Sequence, residues 1–104
     1  MTYEKLFRRI ADWIDARGEV DQDGTGAMLK LVEEVGELTG MHVKDRPLRD
    51  VSDELADVMI CLLWYAHVRG VDPLRVAHDK MAINESRRGK INRFGVFVKE
   101  ADLG

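Results

Sequence analysis

One cysteine, two prolines and 7% aromatic residues rule out several ways of building a protein from these 104 residues. Cys61 has no partner for an internal disulfide, and a thiolate zinc site needs more than one sulfur. Set in an apolar run, it reads as a small buried hydrophobe in a reduced, cytoplasmic setting. No hydrophobic stretch is long enough for a bilayer. The longest, Leu55 to Val68, has 14 residues and is interrupted by Asp57 and His67, whereas a span needs about 20. A secretory segment is not expected, because Glu4, Lys5, Arg8 and Arg9 break up the first turns. Basic charge is also in short supply. There are 16 Lys and Arg against 19 Asp and Glu, net -3, so general binding to nucleic-acid backbone is not expected.

What remains is a globular composition, 45% hydrophobic and 34% charged, without repeats or low-complexity tracts. The length suits one domain, 1–104. Helical periodicity predicts four helices. The first spans Thr2 to Arg17, with Leu6, Ile10, Trp13 and Ile14 at helical spacing, Thr2 as N-cap and Gly18 as stop. A loop, Glu19 to Thr25, follows. The second helix spans Gly26 to Val43, with an apolar stripe of Met28, Leu31, Val32, Val35 and Leu38. After the break at Lys44 to Pro47, the third runs from Leu48 to Arg69 and ends at Gly70. The fourth starts with Asp72 as N-cap and Pro73 in first position and reaches Arg87 or Arg88. Val96, Phe97 and Val98 favour a strand, and Asn92 to Gly95 a turn, which predicts a short C-terminal hairpin. The fold class is therefore all-α, a four-helix bundle. Its third helix is apolar nearly all round, which predicts completion by oligomerisation.

Two carboxylate pairs carry the chemistry, Glu34 with Glu37 and Glu54 with Asp57. Each has i, i+3 spacing, so its members lie on one side of a helix, one turn apart. On a helical wheel Glu54 and Asp57 share a sector with Cys61, Tyr65 and Val68, a face expected to be buried. The tight break between the second and third helices predicts antiparallel packing, which sets the pairs facing each other. Buried carboxylates repel unless they are protonated, bridged by Lys or Arg, or bound to a cation. Oxygen ligands without His or Cys favour Mg²⁺, with Mn²⁺ as substitute, over zinc. Glu33 and Asp53 point to other sides of their helices and read as solvated or as supports behind the metal ligands. Lys80, Asn84 and Arg87 form a polar stripe suited to polyphosphate. His42, His67 and His78 lack a shared ligand spacing. Met28, Met41, Met59 and Met81 read as core filler, and Trp13, Trp64 and Tyr65 as core or interface.

The segments Glu34-Val35-Gly36-Glu37-Leu38, Asp53-Glu54-Leu55-Ala56-Asp57-Val58 and Lys80-Met81-Ala82-Ile83-Asn84-x-x-Arg87 resemble the motifs of MazG-like all-α NTP pyrophosphohydrolases, the last being similar to that of dCTP pyrophosphatases. The resemblance covers Met28 to Arg87. It implies Mg²⁺-dependent hydrolysis of a nucleoside triphosphate to the monophosphate and pyrophosphate. It implies Glu34, Glu37, Glu54 and Asp57 as metal ligands and catalytic groups, with Glu37 the choice for general base. Lys80, Asn84 and Arg87 become phosphate ligands, and the assembly a homodimer or a tetramer of dimers. Where dCTP-specific relatives place aromatic residues, this sequence has Cys61 and Lys44, which leaves base and sugar preference open. Three other readings compete: a nucleotide-binding regulatory module with little turnover, a structural helical dimerisation module, and a pyrophosphohydrolase of another substrate such as phosphoribosyl-ATP.

Overall fold

A computed structural model describes residues 1–18 and 23–103. The expected loop from Glu19 lies largely outside them. The chain divides into two compact units, Met1–Asp72 and Pro73–Gly104.

The first unit holds three helices, α1 (Tyr3–Ala16), α2 (Thr25–Val43) and α3 (Leu48–Arg69). Helix α1 starts where the Thr2 hydroxyl accepts from the Lys5 amide at 3.2 Å, an N-cap bond. Helices α2 and α3 end alike. The residue after the C-cap of α2, Asp45, and the α3 C-cap, Gly70, are left-handed. In each case the next amide reaches back five residues, from Arg46 to the Met41 carbonyl and from Val71 to the Ala66 carbonyl, the crossed pattern that satisfies helix-end carbonyls. Asp serves at position 45 because short polar side chains tolerate that conformation.

Helix α3 packs on both others, and its two contact faces differ. Toward α1, Leu63 joins Ile10 and Ile14 in the buried core, with Leu6, Phe7, Ile60 and Trp64 packed around them. Toward α2, the less exposed positions of α3 are Val51, Glu54, Val58, Cys61, Tyr65 and Val68, and those of α2 are Ala27, Leu31, Glu34, Leu38 and Met41. Both series alternate steps of three and four, the spacing of a two-helix seam. Gly24, which precedes α2, touches Tyr65 so closely that a Cβ there would lie 2.7 Å from the ring, and its φ is +87°. Both facts demand glycine.

This seam corrects the expected stripe of α2. Leu31 and Leu38 belong to it, but Met28, Val32 and Val35 are exposed in the single chain. The stripe of Leu31, Val35 and Leu38 assumed a wider apolar face than contact with one helix provides. Met59 and Met81 are exposed as well, so of the four helical methionines Met41 alone is partly covered.

The second unit holds α4 (Pro73–Ser86), the antiparallel strands β1 (Gly89–Ile91) and β2 (Phe97–Lys99), and a 3₁₀ turn at Glu100–Asp102. Helix α4 stops one residue short of Arg87. The expected hairpin is present, with Ile91 opposite Phe97 and Gly89 opposite Lys99. Its turn is fixed by Asn92, whose side-chain oxygen accepts from the Phe94 and Val96 amides at 2.9 and 3.0 Å. No helix among the described residues is long and apolar enough to cross a membrane.

Candidate active site

The seam between α2 and α3 is apolar at its ends and acidic in the middle. Glu34 and Glu54 occupy interior seam positions, each about 7% exposed. Carboxylate oxygens of Glu34, Glu54 and Asp57 lie within 4.8 Å of one another, and so do those of Glu33, Glu34 and Glu37. Glu34 is common to both groups. All four carboxylates expected at the site therefore come together across the two helices, in two overlapping clusters.

Two details differ from expectation. Asp57 is exposed rather than buried. One turn beyond Glu54 the helix face has rotated out of the seam, because 3.6 residues per turn do not match a three-residue step. Glu33, read as solvated or as a support behind the ligands, is exposed and contributes an oxygen to the second cluster itself. The signal for it was its i, i+4 relation to Glu37, which aligns the two side chains on one helix face.

The electrostatics are those of an unfinished site. Glu34 Oε2 and Glu54 Oε1 are buried and have no hydrogen-bond partner among the described residues, a costly arrangement for polar atoms. The Glu34 carboxylate against it, then that of Glu37, then burial, push the Glu54 carboxyl up to about 8. Glu34 moves the other way, held below the ordinary range first by its contact with Glu54 and then by the Lys30 ammonium. One member of the buried pair thus keeps its proton so that the other can stay ionised. Lys30 Nζ lies 3.2 Å from Glu33 Oε1 and 3.4 Å from Glu34 Oε1. Burial, with the negative charge of Glu34 behind it, raises the pKa of the neighbouring Cys61 thiol, which keeps it neutral.

The donor set suits a hard divalent cation. It is all carboxylate, converges from two helices, and holds buried oxygen atoms without partners.

A cavity of about 450 Å³ runs from these acids to α1. Glu33, Glu34 and Asp57 line one part of it, and Trp13, Trp64 and Ile60 another. Trp13 is 48% exposed, and the Arg17 guanidinium lies 4.4 Å from its ring centroid. The expected core role holds for Trp64 and not for Trp13, and both also line this cavity. Trp64 does pack against the Ile10–Ile14–Leu63 core, but it also walls the cavity. Trp13 shares its helix spacing with core residues, so periodicity alone hid its exposure.

Lys80 and Asn84 lie one turn apart on α4, and Arg87 follows its last residue. All three are exposed and belong to the second unit. Two histidines pair with aspartates: His67 Nε2 is 3.1 Å from Asp15 Oδ1, tying α3 to α1, and His78 Nδ1 is 3.4 Å from Asp79 Oδ1.

No family model matches the chain. Individual proteins do. A dATP/dGTP diphosphohydrolase of cyanophage S-2L is 37% identical over 86 residues, which cover 83% of this chain and 76% of that protein. The chain belongs to the MazG-like pyrophosphohydrolases. The solved structure of the cyanophage S-2L MazG-like pyrophosphohydrolase, bound to dGDP and three catalytic Mn²⁺ ions per active site, superposes with a TM-score of 0.75. It is 33% identical, and the match covers 95% of this chain and 97% of that one. Membership makes the protein a hydrolase of phosphoric anhydrides with the all-α fold of its family.

Proposed function

We propose that this MazG-like enzyme hydrolyses a nucleoside triphosphate to the monophosphate and pyrophosphate, using Mg²⁺ or Mn²⁺ held by Glu34, Glu37, Glu54 and Asp57, with Glu33 at the edge. The carrying observation is the convergence of two acidic pairs, with unpartnered buried oxygens, at the middle of one helix seam. A purine deoxynucleoside triphosphate is the first substrate to test, because the cyanophage relative is named for dATP and dGTP.

When bound, the divalent ions supply positive charge against the triphosphate and Lewis acidity toward water. The protein's part is to place the groups. Glu34 and Glu54 would hold the ion from inside the seam, where burial between two helices limits their movement. Glu37 and Asp57, both solvent-accessible, hold the outer side. Glu37 takes the proton of the attacking water. The water oxygen bonds to the α-phosphorus as the anhydride bond to the β-phosphate breaks, giving the monophosphate and pyrophosphate. Lys80, Asn84 and Arg87 are the proposed phosphate-binding residues, and 1–104 the proposed catalytic domain. The cavity beside the acids accommodates the nucleoside, with the Trp13 ring available to stack on a base.

The protein works as a homodimer or a tetramer of dimers. Val32, Val35, Leu55, Met59 and Leu62 on α2 and α3 are each more than 40% exposed, and a second copy supplies their cover.

The test is pyrophosphate release from a panel of ribo- and deoxynucleoside triphosphates, with phosphoribosyl-ATP included, in Mg²⁺, Mn²⁺ or EDTA. Metal-dependent release of pyrophosphate and monophosphate supports the proposal. Metal-dependent nucleotide binding without release supports a regulatory module instead.

A further inference from the structure

The ammonium of Lys30 stands where a cation is needed. It contacts Glu33 and Glu34 at 3.2 and 3.4 Å, and oxygens of those two residues, with Glu37, lie within 4.8 Å of one another. Glu34 is the residue common to both acidic clusters. A carboxylate-bound divalent ion sits about 2.0–2.6 Å from its oxygens. An ion taking Glu33 or Glu34 as ligand would therefore lie within a few ångströms of the ammonium. Like charges at that range oppose each other, so the ion favours an ammonium moved away from Glu34 Oε1.

The side chain has somewhere to go. Lys30 is half-exposed, with 47% of its side-chain surface accessible. It also lines the cavity that runs between the acids and Trp13 and Trp64. Its four-carbon stem is flexible, and its head is a compact point charge able to meet a phosphate oxygen from many directions.

We infer that Lys30 is an exchangeable placeholder: it neutralises the acidic seam before metal binds, and the arriving ion drives it into the cavity, where it holds a phosphate of the nucleotide. The inference rests on the proposed metal site. It adds a residue with two successive partners. In the metal-free protein Lys30 competes with the cation, and in the complex it cooperates with it. A surface ion pair that merely supports α2 does neither.

The test compares the wild type with Lys30→Met, which keeps most of the stem and loses the charge. Lys30→Arg keeps the charge. Lys5→Met removes one charge from α1, at an exposed residue outside both acidic clusters and the cavity, with no ion pair among those described. Free Mn²⁺ is titrated by electron paramagnetic resonance without nucleotide, and then a non-hydrolysable nucleotide is titrated in saturating Mn²⁺. Lys30→Met is expected to bind Mn²⁺ about 3- to 10-fold more tightly and the nucleotide more weakly by a similar factor. Lys30→Arg stays near wild type in Mn²⁺ affinity, and Lys5→Met changes it less than about 2-fold. Equal or weaker Mn²⁺ binding by Lys30→Met, with the wild type binding normally, overturns the placeholder role alone. So does tighter Mn²⁺ binding with unchanged nucleotide affinity, because the second partner is then missing. A wild type that binds no Mn²⁺ overturns the metal site and this inference together.

Discussion

Helix α3 presents two faces built to opposite rules. Toward α1 it buries Leu63, 3% exposed, against Ile10 and Ile14, and that contact is complete in itself. Toward α2 it places Glu54 opposite Glu34 at positions where a seam ordinarily carries leucine or valine. The first face contributes to stability under all conditions, because apolar burial needs no partner in solution. The second is left with one carboxyl whose pKa is pushed up to about 8 and with two buried oxygens that have no partner among the described residues. Natural sequences break local rules of packing mostly at functional sites. Here the break is confined to the middle of one seam, in a family of pyrophosphohydrolases.

The contrast fails if the acidic face proves to be structural. Glu54→Ala and Asp57→Ala are expected to lower turnover by more than about 100-fold while leaving the helical circular dichroism largely unchanged. Retained activity in both variants removes the site assignment. Leu63→Ala, on the other face, should cost about 2–4 kcal/mol of stability by leaving a cavity, measured by urea unfolding. Any active folded fraction should keep its metal requirement.

Acidity sharpens the comparison further. The pKa of Glu54 is raised in the folded state, so the folded protein holds a proton that the unfolded chain loses. Its contribution to stability is fully present below the ordinary glutamate range and is lost as pH rises toward about 8. Metal-free protein should therefore lose stability across that window, and Glu54→Gln, which cannot ionise, should flatten the loss. A melting temperature insensitive to this substitution at both ends of the window contradicts the pairing of Glu54 with Glu34. The smallest effect lies far from either face. Thr2→Ala removes the cap of α1 and should cost about 1 kcal/mol with kcat unchanged, read by thermal unfolding and a rate assay.

Much of this arrangement was legible in the sequence, for identifiable reasons. Helix ends follow from local chemistry, so Thr2, Gly70 and Pro73 marked them well. The burial of Glu54 followed from its wheel sector with Cys61, Tyr65 and Val68, all of which do lie at the seam. Asn92 to Gly95 announced the hairpin turn by residue type. What escaped depends on how helices meet. The exposure of Asp57 and Val35 is decided by how wide a stripe one neighbouring helix covers, and periodicity does not supply that width. The cavity beside Trp13 depends on how α1 stands off from α2, a distance set by no single residue. Glu33 was missed because a doublet of acids always places one member off the principal face, and its use depends on what binds between the helices.

The most direct measurement is the thermal melt of the wild type and of Glu34→Gln/Glu54→Gln, each in Mn²⁺ and in EDTA near pH 8. A cation bound by the native seam raises the melting temperature of the folded state. The account predicts a clear rise with Mn²⁺ for the wild type. It predicts little or none for the double variant, whose metal-free form should be the more stable of the two at that pH. A wild type that melts at the same temperature in Mn²⁺ and in EDTA would contradict the claim that the acidic seam is a cation site.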